Sequence, residues 1–327
     1  SQVDDTKIRI SVFDAQGNAT AMAAQIVASA SQDDTTAENY PAAGIITIDG
    51  NPAFTAALCA SIVTANAAGI PVVSKNLDCD DETGVEGTPT AWVQTQQSNT
   101  AIAELVLTQA AQDTPVVVGP DGLPGPTPVG YVNDLARGAS ERNVVWETYR
   151  KNYQWEQEFF VDQAASYNTS DDLQNAITEQ LLDATTSTTT IQFVYAPWDY
   201  LALTTVQALQ QLNSYDEDDD KFVHDFTTTK VYGADINTED IQAMIEPGSP
   251  WLATAGGHPA MIGAAILRMN LLQLAKATAK EFVQMPSFLF TQDFLWKEQV
   301  TNLDELLIAM PELRMIDIAS ACWIEPL

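Results

Sequence analysis

Few of the residue types that perform chemistry stand at spacings that would let them perform it. The two histidines, His224 and His258, are too far apart to form a metal motif, and His224 sits in an acidic loop where solvation accounts for it. No nucleophile elbow, phosphate-cradling glycine loop or His-x-x-x-His pattern is present, and no cofactor or metal signature stands out. Two acid runs, Asp78-Cys79-Asp80-Asp81-Glu82 and the DEDDD stretch from Asp216 to Asp220, lack the glycine and spacing of a calcium loop and read as solvated acid. Paired carboxylates are glycosidase machinery, but among 44 acidic residues chance pairs are unavoidable, so an enzyme is the thinner reading. Cys59, Cys79 and Cys322 lack zinc spacing. They form either one disulfide, with Cys79–Cys322 the expected pair because both lie outside expected helices, or three thiols. Asp199 and Asp235 each fall between an expected strand and an expected helix, where an aspartate either caps the helix or faces a ligand.

The elements that must position these side chains are set by length and pattern. A chain of 327 residues exceeds one ordinary core and suggests about two domains. With 46% hydrophobic and 18% charged residues there is apolar material enough for a folded protein, while no run of about 18 apolar residues suggests a membrane span. The net charge of −30 repels phosphate backbones and argues against nucleic-acid partners. Scarce lysine with abundant Asp and Thr suits either a saline environment, where salt screens the repulsion, or a generically acidic secreted protein.

Short β-branched runs alternate with longer Ala-rich stretches, which predicts parallel βαβ units. Strands are expected at 7–13, 44–48, 70–74, 90–93, 115–118, 143–147, 190–195, 230–234, 251–254 and 282–290. Helices are expected at 19–31, 52–67, 99–111, 128–140, 170–183, 200–212, 238–245, 259–277 and 303–310. Gly69 is placed to end a helix with positive φ. The Gly/Pro-dense segment 119–128 and the breaker Pro247-Gly248-Ser249-Pro250 read as connections. The aromatic cluster Trp146, Tyr149, Tyr153 and Trp155 reads either as core or as a loop over a cleft.

Four segments in order resemble the type I periplasmic binding proteins, the ribose- and galactose-binding class serving ATP-binding-cassette importers. They are VFDAQGN (12–18), GIITIDGNPAF (44–54) with ANAAGIPVVSKN (65–76), YAPWDYLALTTVQAL (195–209), and VYGADINTEDIQAMIEPGSPWLATAGGHPAMIG (231–263). FLFTQDFL (288–295) is similar to the family's closing strand. The resemblance implies an α/β fold of two Rossmann-like lobes with parallel sheets joined by a three-crossing hinge. It divides the chain into residues 1–119 plus 255–285, and 120–254 plus 286–327. It implies a small polar ligand, most naturally a sugar, held in the cleft by hinge closure for transport or sensing, with a membrane permease or receptor as partner. The location would be secreted, periplasmic or extracellular. A structural or sensor module of a larger assembly is the alternative.

Ligand contacts would lie at the carboxyl ends of strands. Carried over by position, these are Asp49, Asn51, Asn76 and Asp78 from the first lobe, and Trp198, Asp199 and Asp235 from the second. His258 stands where the family often has a glutamine at the hinge. Carboxylates and amides make paired hydrogen bonds to vicinal hydroxyls, while Trp198 and Trp92 would stack on a sugar ring. The family's arginine, three residues before a glycine, is replaced here by Leu135 before Gly138, with Arg137 displaced by two; Arg137 is the candidate in its stead. Gln96 stands where the family often has Asp. VFDAQGN matches the family's second βα unit rather than its first. Three accounts stay open: residues 7–13 serve as the first strand, another segment or a second chain supplies that strand, or the sequence is a piece of a longer protein.

Overall fold

The alternation of strand and helix in the sequence becomes two largely parallel sheets. The structure, a computed structural model, describes residues 14–15, 18–30, 46–49, 55–75, 93–114, 125–134, 140–163, 169–184, 190–213, 226–274 and 282–314. The first elements are α1 (Ala19–Ala30), β1 (Ile46–Asp49), α2 (Thr55–Ala67), β2 (Val72–Lys75), β3 (Val93–Gln97) and α3 (Asn99–Asp113). There follow β4 (Thr127–Asn133), α4 (Ser140–Asn152), β5 (Trp155–Asp162), α5 (Ser170–Ala184), β6 (Phe193–Ala196) and α6 (Asp199–Asn213). The chain continues through β7 (Lys230–Ala234), α7 (Thr238–Ile245), β8 (Trp251–Gly256), α8 (Pro259–Leu274), β9 (Phe282–Met285), β10 (Phe288–Thr291), α9 (Gln292–Lys297) and α10 (Leu303–Ala309).

Two compact units divide the chain: Ser1–Gln96 with Ile262–Gln284 and Asp317–Leu327, and Gln97–Met261 with Met285–Ile316. The smaller unit holds a four-stranded sheet of order β1-β2-β3-β9, with β1, β2 and β3 parallel. Its core joins Ile26 and Ala30 of α1 to Leu58, Cys59, Ile62 and Ala65 of α2 and to Ile48 and Val72 of the sheet. Gly69 ends the α2 segment at φ 79°, as its place in the sequence predicts.

The larger unit holds a six-stranded sheet of order β10-β8-β7-β6-β4-β5, parallel except for β10. Alternation along each strand feeds two cores. On one face Val132, Val194, Val231 and Trp251 pack with helical residues such as Leu173, Ile177, Leu201 and Val206. On the other, Tyr131, Tyr195, Tyr232 and Ala253 pack with Ile102, Val106, Val145 and Trp146. A sheet covered on both faces is the physical reason its strands read as near-continuous apolar runs.

Several expectations are corrected. Residues 128–133, expected in a helix, form the strand β4, and residues 143–147, expected as a strand, lie within the helix α4. Arg142, Val145 and Trp146 are buried on one side of α4, a 3.6-residue spacing that outweighs the β-branched pair Val144-Val145. Trp155, Tyr149 and Trp146 are core: Trp155 opens β5 and its ring lies 4.8 Å from that of Phe193. The single strand expected over 282–290 breaks at Pro286 into β9 and β10, which join different sheets, because proline donates no ladder hydrogen bond. The Gly/Pro density near residue 119 is not where the units divide, since α3 buries Ile102, Ala103 and Val106 in the larger unit's core. Cys59 is disulfide-bonded, so it is not the leftover thiol beside a Cys79–Cys322 pair. A helical position does not bar a cysteine from bonding when its Cβ faces a partner. The expected strands 7–13 and 115–118 lie outside the described residues.

Candidate functional site

In the larger unit the chain leaves β4 for β5 on one side and later returns to β6 on the other, so helices depart in opposite directions between β4 and β6. The carboxyl ends of strands flanking such a reversal form a crevice suited to a ligand. The residues gathered there are Asn133 at the end of β4 and Asp134 after it, Trp198 and Asp199 after β6, Asp235 and Asn237 after β7, and Arg142 and Asn143 from the first turn of α4.

Arg142 is the centre of this group and is only 3% exposed. Its Nε donates to Asn99 Oδ1 at 2.9 Å, Nη1 donates to the Pro197 carbonyl, and Nη1 and Nη2 approach Asp235 Oδ2 and Oδ1 at 3.3 and 3.4 Å. The guanidinium carbon lies 4.3 Å from the centroid of the Trp198 ring, a cation–π distance. A desolvated guanidinium needs such partners to offset the loss of water.

Asp235 is held by its backbone as well. Its φ is 69°, its N–H donates to the Ala255 carbonyl at 2.7 Å, and its carbonyl accepts from Thr254 Oγ1 at 2.6 Å. A side chain at Gly256 would bring its Cβ within 2.9 Å of Asp235 Cα, so the glycine makes room for this turn. Asp235 does not cap a helix: that role falls to Asn237, whose Oδ1 accepts from the backbone of Glu239 and Asp240. Asn237 Nδ2 also donates to Asp199 Oδ2 at 3.2 Å. Asp199 opens α6 and its Oδ1 accepts from the Tyr200 N–H.

Beside them the Tyr200 hydroxyl donates to Asp134 Oδ2 at 2.8 Å, and Asn143 Oδ1 accepts from Asn133 Nδ2 and from the Tyr131 hydroxyl. Asp240 is 1% exposed. Burial pushes its carboxyl up to about 7, with the charges of Asp199, Asp235 and Glu239 acting the same way and the Asn237 N–H opposing them. Among the described residues no cluster of His, Cys, Asp and Glu is arranged to hold a metal ion.

Of the residues named from sequence, Trp198, Asp199 and Asp235 come together here. His258 follows the end of β8 and is buried: Nδ1 accepts from the Ala260 N–H at 3.0 Å and Nε2 donates to the Leu303 carbonyl at 2.9 Å, so both ring nitrogens serve the backbone. Asp49 ends β1, and its side chain is outside the described set, as are Asn51, Asn76, Asp78, Trp92 and Arg137. Sequence reasoning missed Arg142 and Asn237. A signal was present in the spacing of residues 142, 145, 146 and 149, which marks a helix with Arg142 on its buried side.

Residues 2–278 match the periplasmic binding protein domain. None of the curated proteins matches the chain. Among solved structures the fold is similar to the 5-methylthioribose transporter solute binding protein of Thermotoga lettingae in complex with 5-methylthioribose. That match has TM-score 0.68 and 22% identity, and covers 94% of this chain and 83% of that one. It is similar to a sugar ABC transporter structure from Yersinia enterocolitica at TM-score 0.68 and 19% identity, covering 93% and 80%. The Caulobacter myo-inositol binding protein bound to myo-inositol gives TM-score 0.64 and 17% identity, covering 89% and 85%. With most of its length matched, and with parallel sheets of this kind, the chain belongs to the periplasmic binding proteins, of type I.

Proposed function

We propose that the chain binds a small polyhydroxylated solute, a sugar or polyol, for an ATP-binding-cassette importer and performs no chemistry on it. The observation that carries this reading is the set of Arg142, Asp235, Trp198, Asp199 and Asn237 at the carboxyl ends of β6 and β7 in a chain of this family. A guanidinium and carboxylates make paired bonds to neighbouring hydroxyls, and an indole face suits the apolar side of a sugar ring. Asp49, Asn51, Asn76 and Asp78 are proposed to supply contacts from the smaller unit, with Arg137 and His258 the weaker candidates. The two units act in this proposal as hinged lobes, and a ligand that gains contacts only on closure shifts the population toward the closed form. A membrane permease or receptor would read that form.

The disulfide at Cys59 suits an oxidising, extracytoplasmic compartment, and the net charge of −30 suits a saline one. No described helix is long and apolar enough to cross a membrane.

Calorimetric titration with pentoses, hexoses, 5-methylthioribose and myo-inositol tests the reading. Saturable binding of one compound is expected, weakened at least about tenfold in Arg142→Ala and in Asp235→Asn, the loss of roughly one charged hydrogen bond. A folded sample that binds none of them overturns it. Small-angle scattering tests closure separately: a radius of gyration unchanged at saturation removes the hinge from the proposal.

A further inference from the structure

Strand β3 of the smaller sheet and helix α3 of the larger unit are separated by one residue, Ser98, and the chain passes from one unit to the other at Gln96–Gln97. Ser98 caps α3, its Oγ accepting from the Ala101 N–H at 3.1 Å, and Ile102, Ala103 and Val106 anchor the helix in the larger core. The first residue of α3 is Asn99, which is half-buried, and its side chain serves not its own helix but Arg142, 43 residues on.

Arg142 carries donors only, so the Asn99 amide presents its oxygen to Nε and leaves its Nδ2 facing away. Among the described residues two side chains hydrogen-bond to Arg142, Asn99 and Asp235. Asp235 approaches the Nη atoms at 3.3 and 3.4 Å, longer than the roughly 2.7–2.9 Å usual for a charged pair. The Asn99 bond is closer, at 2.9 Å, and it grips the fork at Nε. The Pro197 carbonyl and Asp235 both act on the Nη atoms, so with them alone the guanidinium could rock in its own plane over Trp198. A further point at Nε stops that rotation.

We infer that Asn99 is a positioning residue for the candidate site. It sets the plane of Arg142 from the residue beside the first crossing between units, so a ligand held by Arg142 also steadies the start of α3. The inference deepens the proposed binding role and rests on it, but its first test needs no ligand. A residue of this kind acts through the group it orients, and losing it weakens binding without removing a contact to the ligand.

Two variants separate positioning from direct contact. Asn99→Ala removes the acceptor. Asn99→Asp keeps an oxygen for Nε while removing the Nδ2 donor, and a carboxylate is favoured in the first turn of a helix, where α3 has no acidic residue of its own.

The test begins with the Nε–H of Arg142 in the ligand-free full chain, followed by nuclear magnetic resonance. Slow exchange with water is expected in the parent and in Asn99→Asp, and exchange at least about tenfold faster in Asn99→Ala. Calorimetric titration with pentoses, hexoses, 5-methylthioribose and myo-inositol should show binding weakened about threefold to tenfold in Asn99→Ala, and within about twofold of the parent in Asn99→Asp. At saturation, backbone amide exchange at Ala101 and Ile102 should slow in the parent and in Asn99→Asp but not in Asn99→Ala, a response that a merely structural residue would not control. Equal Nε–H exchange in all three chains would overturn the inference. So would an Asn99→Asp variant that binds as weakly as Asn99→Ala, or slowing at the start of α3 that survives Asn99→Ala. A chain that shows the expected Nε–H pattern yet binds none of the compounds overturns the binding proposal alone.

Discussion

Arg142 Nη1 lies 3.3 Å from Asp235 Oδ2, although the two residues are 93 apart in sequence and leave different strands and helices. Arg142 is almost fully buried, while the Asp235 side chain keeps 29% of its exposure and with it some water. Asp235→Asn therefore strands the deeper charge, and unfolding by urea should show a loss of about 2–4 kcal/mol. Arg142→Lys should lose nearly as much, because an ammonium cannot serve Asn99, the Pro197 carbonyl and Asp235 at once while lying flat on Trp198. A lysine variant with parent stability would show that the fork geometry is dispensable.

The turn that aims Asp235 depends on an absent side chain. Gly256→Ala places a Cβ 2.9 Å from the backbone of Asp235, where no flexible group can yield. A loss of about 1–3 kcal/mol is expected, together with weaker ligand binding if the turn shifts. Equal stability and unchanged affinity would mean that β8 gives way without moving Asp235.

Tyr195 carries a cost that a substitution can remove. Its ring stacks on both Tyr131 and Trp146, which also stack on each other, and its hydroxyl is buried with no hydrogen-bond partner among the described residues. Burial pushes its ionisation above the ordinary phenol range, with the Arg142 charge pulling the other way. Tyr195→Phe keeps the stacking and discards the stranded hydroxyl, so stability should hold or rise by about 1 kcal/mol. A loss of more than that in urea unfolding would reveal a partner for the hydroxyl, such as an ordered water.

Salt should stabilise this chain beyond what an electrically balanced one gains. With 44 acidic and 14 basic side chains, repulsion extends over the whole surface. On the edge strand β5, exposed Glu156 and Glu158 stand side by side, and Glu158 is raised above the usual glutamate range by desolvation and then by its neighbour. Raising potassium chloride from 0.1 M to 1 M should lift the Tm, and guanidinium chloride should give a higher apparent stability than urea because it screens as it denatures. A Tm that is flat with salt would remove the saline reading.

What the sequence determined by itself is the alternation of apolar strands and Ala-rich helices, hence a parallel α/β fold, and the placement of Asp199 and Asp235 where strands end. Those features are local: they follow from side-chain period and from the residue types beside a strand. Tertiary structure decided what depends on distant partners. Residues 128–133 become a central strand because β5 and β6 bond to it from both sides, and 140–152 become a helix because Trp146 and Val145 find the aromatic core over the sheet. Arg142 enters the site only through Asn99, Pro197, Trp198 and Asp235, which no window of sequence contains together. A buried charge is placed by whatever surrounds it, and its surroundings exist only once the chain has folded.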